Sequence, residues 1–284
     1  MENNKAKKVR VTIVQPLFDS WEFETRLKKC ERLVSIALKN KADFICLPEL
    51  FPGRILKHSE MLWNLDTPIF FGHSWPPQKE NDKWKNSYSL KLPKQENIVR
   101  QDKLVLSESE KAEYDSGDEI RVFEINTVKI GVIICHSLPF GPELITFFVK
   151  KHFDLVIVPA LAPAYHISYW KHFLVVRAMD LGIPLIFVNY AGNKEDDGVI
   201  FGGGNSSIIL PMPIDCNNLT QFIKNKDVDP KMNFLLCLGN TEEVITADIP
   251  LDQKNYYRER KNINRSLMSS MKKYCYEMID HEDK

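Results

Sequence analysis

The chain opens with two apolar runs separated by an amphipathic segment. The runs at 9–16 (VRVTIVQP) and 42–50 (ADFICLPEL) are short and almost continuously apolar, which predicts two buried strands. Between them, apolar residues recur at helical spacing and predict a helix. A strand, a helix and a strand in this order form a crossover unit, in which the two strands run parallel.

Strand-like runs outnumber helical ones in the rest of the chain. Residues 167–182 have helical periodicity and end at Gly182, which is a suitable C-terminal stop. Residues 53–68 and 214–240 show no clear pattern. The further strands are predicted at 67–75, 86–94, 96–106, 119–135 (two strands), 153–162, 183–192, 205–213 and 242–251. This pattern predicts an α/β protein with a sheet sandwich flanked by helices, rather than a single doubly wound sheet.

The chain has no internal repeat and no low-complexity linker. We therefore expect residues 1–284 to form a single domain. The basic, polar stretch at 252–284 is expected to form a C-terminal arm or helix.

Composition and charge narrow the class of function. Lys plus Arg and Asp plus Glu each total 38, so no overall field favours nucleic acid or an anionic membrane. No apolar run approaches the roughly 18–20 residues that span a bilayer, and the N-terminus lacks the apolar stretch of a secretory signal. The six cysteines contain no CxxC pair. We expect a cytoplasmic protein that binds neither nucleic acid nor a membrane.

Three chemically important residues lie beside predicted strands. Cys135 ends the run VKIGVIIC (128–135), just before a turn rich in Pro and Gly. Glu49 ends the second strand, and Lys103 lies within 96–106. Taken singly, such residues are usually a core thiol, a turn residue and a surface charge. Together they could act as nucleophile, base and cation: a carboxylate removes the thiol proton, and an ammonium stabilises the thiolate and the oxyanion. Backbone N–H groups after the cysteine could complete the oxyanion site.

An ordered set of segments resembles the nitrilase (carbon–nitrogen hydrolase) superfamily from about residue 9 to about residue 251. The segments are VRVTIVQP, CLPELF, DKLVL, KIGVIIC, YWKHFLVVRAMD, FVNYAG and FGGGNSSIIL. The resemblance implies an α-β-β-α sandwich fold. It also implies an enzyme that cleaves a non-peptide carbon–nitrogen bond through a thioester on Cys135, with Glu49 as base and Lys103 as oxyanion donor. It also implies a small linear amide or carbamoyl compound as substrate, no cofactor, no metal, and a homodimer or larger homo-oligomer.

The family carries a second glutamate between its lysine and its cysteine. The segment EKAEYDSGD (110–118) resembles the part of the family that holds it and favours Glu110. Glu108 and Glu113 remain alternatives.

Four further residues are candidates for binding substrate. They are His136, Glu143, Tyr165 and Trp170. A role for His136 as the base is disfavoured, because adjacent residues of an extended strand point to opposite faces. Core packing or a pocket wall is the expected role of Trp170.

The turn after Cys135 departs from the family pattern. The Asp and the Arg that relatives have there are missing from HSLPFGPE (136–143), and one residue is inserted. Two alternatives therefore stay open. One is a catalytically silent member that binds a metabolite or protein partner; the other is an acyltransferase that uses the same thioester.

Overall fold

The computed structural model describes residues 8–54, 58–139, 148, 151–196, 198–211 and 233–251. The predicted pocket residue Glu143 and the predicted C-terminal arm at 252–284 lie outside these residues. The α-helices are α1 (Phe23–Leu38), α2 (Glu60–Trp63) and α3 (Ile167–Leu181). The strands are β1 (Lys8–Gln15), β2 (Phe44–Cys46), β3 (Pro52–Gly53), β4 (Ile69–Trp75), β5 (Lys85–Lys91), β6 (Ile98–Asp102), β7 (Phe123–Ile125), β8 (Val128–Val132), β9 (Leu155–Pro159), β10 (Leu185–Val188), β11 (Asn193–Asp196), β12 (Val199–Gly202), β13 (Ser207–Ile209), β14 (Phe234–Cys237) and β15 (Glu243–Pro250).

The strands form two mixed sheets of similar design. The first has the order β15-β1-β2-β4-β5-β6, with β3 beside β4, and the second has the order β14-β13-β10-β9-β8-β7. In each sheet the central strands are parallel and the outer ones antiparallel. Strands β11 and β12 pair separately.

The two sheets pack face to face and each carries a helix on its other side. Val11 and Ile13 of β1 belong to one buried cluster with Ile130 of β8. Val14, on the opposite face of β1, packs instead in a second cluster with Val34 of α1. Helix α3 covers the second sheet. This arrangement confirms the predicted α-β-β-α sandwich, because the two sheets share one buried cluster, α1 packs on the outer face of the first sheet and Trp170 of α3 stacks on Phe187 of the second.

Helix α3 ends where the sequence predicts. Gly182 has a φ of 64°, and its N–H donates to the carbonyl of Ala178 at 2.8 Å. A residue without Cβ adopts this left-handed conformation at little cost. No helix among the described residues is long and apolar enough to cross a membrane.

Some parts of the fold were not apparent in the sequence, among them the short helix α2, which lies in the unpatterned stretch 53–68. The hairpin of β11 and β12 begins with the polar segment NKED, which has no apolar alternation to mark it as a strand. Strand β14 lies in the region without a clear pattern. Strand β2 is also shorter than predicted, because the chain turns out of the sheet after Cys46.

Candidate active site

Glu49, Lys103 and Cys135 meet at one end of the sandwich. Glu49 lies beyond the end of β2, Lys103 follows β6 and Cys135 lies beyond β8. Strand β6 runs in the same direction as β2, because two antiparallel pairings separate it from β4, which is parallel to β2. The same edge of the first sheet therefore presents both the glutamate and the lysine, and Cys135 faces them from the second sheet.

Lys103 forms a buried ion pair with two carboxylates. Its Nζ lies 2.7 Å from Oε1 of Glu49 and 2.7 Å from Oε1 of Glu110. Burial alone would lower the pKa of Lys103, but the charges of Glu49, of a Cys135 thiolate and of Glu110 outweigh it and hold the pKa above its ordinary value. Lys103 is therefore an ammonium throughout the neutral range.

Of the three candidate glutamates, Glu110 is the one that the structure places beside Lys103. Its second oxygen, Oε2, accepts hydrogen bonds from the N–H and the Oγ of Ser107 at 2.9 and 2.8 Å. Burial opposes ionisation of Glu110, yet Lys103 and the bonds from Ser107 lower its pKa below the ordinary value. Glu108 instead pairs with Lys111 at the surface, and Glu113 is exposed.

Asn86 joins the same group and was missed by the sequence prediction. Its Nδ2 donates to Oε1 of Glu49 and to Oε1 of Glu110, at 2.8 Å in each case. Its main-chain carbonyl oxygen accepts a hydrogen bond from the main-chain N–H of Lys103 at 2.8 Å. The side chains of Asn86 and Lys103 are thus shared donors that bridge the same two carboxylate oxygens. In the sequence, Asn86 is only the first polar residue of a predicted strand, and no local signal distinguishes it.

Replacing Asn86 with leucine should loosen both carboxylates while keeping the volume of the side chain. Each lost bond to a charged acceptor is worth about 1.5–3 kcal/mol. We expect about 3–6 kcal/mol less stability in urea unfolding, because two such bonds are lost. Any reaction that depends on this site should be slowed about 10- to 100-fold through misplacement of the two glutamates. Asn193→Leu, on the exposed strand β11, is the control. Unchanged turnover in Asn86→Leu would contradict this role.

Cys135 lies in a turn and not in the strand that the sequence predicts. Strand β8 ends at Val132, and Cys135 begins a 3-10 turn that runs to Ser137. Its φ of 39° lies in the left-handed region, which costs a non-glycine residue about 1–3 kcal/mol. The turn is closed by bonds from Ser137 N–H to the carbonyl of Ile134 (3.0 Å) and from Leu138 N–H to that of Cys135 (2.9 Å). Strain of this kind is characteristic of functional sites.

The thiol of Cys135 lies close enough to Glu49 and Lys103 for the charges of both side chains to act on it. Burial, and then the negative charge of Glu49, raise the pKa of this thiol, while Lys103 opposes the rise. At neutral pH the resting cysteine is therefore a neutral thiol that requires a base before it can attack. Glu49 is in place to be that base.

The turn that follows Cys135 is held from two sides. The Oγ of Ser137 accepts from the N–H of Val105 at 3.0 Å, which ties the turn to the segment after Lys103. The N–H groups of Ser137 and Leu138 are used inside the turn. These two N–H groups already have acceptors within the turn, and completion of an oxyanion site by backbone groups after Cys135 stays a prediction.

Arg177 of α3 holds the outer part of the same turn. Its Nε donates to the carbonyl of Leu138 at 3.2 Å, and its Nη2 donates to that of Pro139 at 3.1 Å. Asp180 orients the guanidinium through an ion pair of 3.0 Å. The segment RAMD thus supports the cysteine turn from the neighbouring helix.

Glu49 is fixed in its backbone as well as in its carboxylate. Its Oε2 accepts from the N–H of Leu161 at 2.7 Å, so both carboxylate oxygens have partners.

Gly72 packs directly beneath the turn that carries Glu49. A Cβ at this glycine would lie 2.2 Å from the N of Leu50, so no larger residue fits.

The predicted pocket residues fall in different environments. His136 is half-buried, and burial, followed by the charge of Lys103, lowers its pKa, so the ring is neutral at neutral pH. Tyr165 is 60% exposed and its ring packs against His166. Trp170 is buried in the core, stacked on Phe187 with 5.7 Å between ring centroids. Substrate contact by these residues stays a prediction.

The sequence and the fold both resemble known proteins. The chain is 22% identical over 296 residues to the glutamine-dependent NAD(+) synthetase of Thermotoga maritima, covering 94% of this chain and 45% of the relative. It is 26% identical over 144 residues to the 2-oxoglutaramate amidase of Bacillus subtilis, covering 51% of this chain and 47% of the relative. These matches span about half the length of each curated relative or less.

Among solved structures, the fold matches a variant of the amidase from Nesterenkonia sp. AN1. The TM-score is 0.68 at 16% identity, covering 91% of this chain and 96% of that one. That amidase carries the acetamide moiety of fluoroacetamide on its active-site cysteine. The carbon–nitrogen hydrolase family model matches residues 10–222. This chain therefore belongs to the carbon–nitrogen hydrolase family.

Proposed function

We propose that this protein hydrolyses the terminal amide of a small linear substrate through a thioester on Cys135. The observation that carries the proposal is the buried cluster in which the Lys103 ammonium lies 2.7 Å from the Glu49 carboxylate, with the Cys135 thiol close enough for both charges to shift its pKa. A nucleophile, a base and a cation thus lie together within one buried site.

The first half of the reaction forms the acyl-enzyme. Sγ of Cys135 attacks the amide carbon while Glu49 takes the thiol proton. The negative charge that develops on the carbonyl oxygen is stabilised by Lys103. When the tetrahedral intermediate collapses, the carbon–nitrogen bond breaks, Glu49 returns the proton to the leaving nitrogen, and ammonia departs.

The second half releases the acid. A water molecule attacks the thioester carbon and loses a proton to Glu49. The carbon–sulfur bond then breaks, the carboxylic acid leaves and the sulfur regains a proton. Lys103 retains its proton throughout, because its pKa lies above the ordinary value. Glu110 and Asn86 hold the side chains of Lys103 and Glu49 in position during both halves of the reaction.

The proposed substrate class is the ω-amide of a short dicarboxylic acid. The two curated relatives are named for glutamine and for 2-oxoglutaramate. Both compounds carry a primary carboxamide at the end of a five-carbon chain. We extend this chemistry to the present chain, in which Cys135, Glu49 and Lys103 can serve as nucleophile, base and cation.

A panel of amides tests the proposal. Purified protein is incubated with glutamine, 2-oxoglutaramate, asparagine, a carbamoyl amino acid and a simple nitrile, and released ammonia is measured. We expect ammonia and the matching acid in equal amounts from the five-carbon ω-amides. Hydroxamate formed when hydroxylamine is added would report the acyl-enzyme, whereas transfer of the acyl group to an amine with no acid formed in water alone would indicate an acyltransferase. Absence of ammonia from every compound would reject hydrolysis and favour a silent, ligand-binding member.

A further inference from the structure

A buried arginine reaches the Glu49 turn from helix α1. Arg26 is 5% exposed, and its guanidinium lies over the rings of Trp21, Phe51 and Tyr190 at 5.6–5.8 Å from their centroids. Its Nη2 donates to the carbonyl of Leu50 and to the Oη of Tyr190. Among the described residues, no carboxylate forms an ion pair with Arg26.

Tyr190 links Arg26 to the backbone of Glu49 through two hydrogen bonds. Because its Oη accepts from Arg26, its own proton is directed to the carbonyl of Glu49, to which it donates at 2.8 Å. Arg26 and Tyr190 therefore hold the carbonyls of Leu50 and Glu49, two consecutive residues of one turn. Leu50 has a φ of 52°, so the turn contains a left-handed residue that needs external support.

The energetics of this arrangement indicate a specific role. A buried charge without a counter-ion is costly, and aromatic rings with two oxygen acceptors offset only part of that cost. A neutral residue could fill the space between the rings without the free-energy cost of burying a charge. What Arg26 adds is a rigid planar donor that reaches the tyrosine and the turn at once.

We propose that Tyr190, oriented by Arg26, is a positioning residue that aims the Glu49 carboxylate at the Cys135 thiol. Neither side chain touches the reacting atoms: Tyr190 acts through the carbonyl of Glu49, and Arg26 acts through Tyr190 and the carbonyl of Leu50. The importance of this role for catalysis rests on the proposed function. The effect of Glu49 on the reactivity of the Cys135 thiol, however, can be measured without any turnover.

The test is a double-mutant cycle on the reactivity of the cysteine. The rate of Cys135 alkylation by iodoacetamide is measured by peptide-resolved mass spectrometry in wild type, Tyr190→Phe, Glu49→Gln and the double variant. Tyr190→Phe should slow alkylation about tenfold, since a displaced base assists the thiol less well. In the Glu49→Gln background the same change should alter the rate less than about twofold, because the two residues are coupled.

Tyr88→Phe is the matched control. Tyr88 is a buried tyrosine whose hydroxyl donates to the carbonyl of Leu47, two residues before Glu49. It should leave the alkylation rate within about twofold of wild type. Arg26→Lys, which keeps the charge but loses the planar fork, should reproduce most of the Tyr190→Phe effect.

The possible outcomes separate this role from the proposed function. Alkylation of Tyr190→Phe at or above the wild-type rate, or equal slowing in both backgrounds, would overturn the positioning role. A protein that releases no ammonia but shows the coupling would refute hydrolysis and support the positioning of Glu49. If Tyr190→Phe does not fold, Arg26→Lys replaces it in the same cycle. The positioning role is then judged by whether alkylation slows in the wild-type background and by whether that slowing disappears in the Glu49→Gln background.

Discussion

Replacing Lys103 with methionine is expected to abolish amide turnover and to destabilise the fold. The ammonium contacts two carboxylates in a site where Lys103 and Glu49 are each 3% exposed. Removing one partner of such a buried group leaves uncompensated charge and costs about 3–5 kcal/mol. Loss of the oxyanion donor should also lower kcat by about 100- to 1,000-fold or more. Urea unfolding and ammonia release measure the two effects.

Lys111→Met provides the matched control. Lys111 also pairs with a glutamate, Glu108, but both side chains are more than half exposed. Surface ion pairs contribute about 0–1 kcal/mol, so this variant should keep its stability and its activity. Retention of most activity in folded Lys103→Met would reject the oxyanion role of Lys103.

Replacing Cys135 with alanine is expected to remove turnover almost completely while leaving the fold intact. Without the thiol no acyl-enzyme can form, and loss of a catalytic nucleophile typically costs about 10,000-fold or more. Cys46→Ala is the control, because Cys46 is also buried in a strand-end region and its thiol pKa is raised by burial alone. It should lose some stability and little turnover. Substantial turnover by Cys135→Ala would exclude the thioester route.

The sequence predicted the central residues of the site because their positions follow from topology. Glu49 and Lys103 lie beyond strands that run in the same direction, so they meet at one sheet edge once the strands pair. Cys135 follows a parallel strand of the second sheet. The ends of apolar runs, visible in one sequence, place Glu49 and Cys135, whereas Lys103 falls inside a predicted strand and is singled out by the resemblance of DKLVL to the family's lysine segment.

The supporting residues could not be predicted in the same way. Asn86, Arg26 and Tyr190 act through contacts between segments 24 to 164 residues apart, and these contacts exist only after the sheets have packed. Arg26 also lies on an amphipathic helix, where a lone arginine predicts a solvated surface residue. The turn at Cys135 was missed because its left-handed backbone is imposed by tertiary hydrogen bonds and not by a glycine.

Trapping the acyl-enzyme is the most direct measurement of the proposed mechanism. Wild-type protein is mixed with a five-carbon ω-amide, quenched in acid during the steady state and analysed by intact mass and peptide mapping. We expect an acyl group on Cys135 that disappears once the substrate is consumed and is absent from Cys135→Ala. Ammonia release with no acyl group on Cys135, or with the acyl group on another residue, would contradict the mechanism.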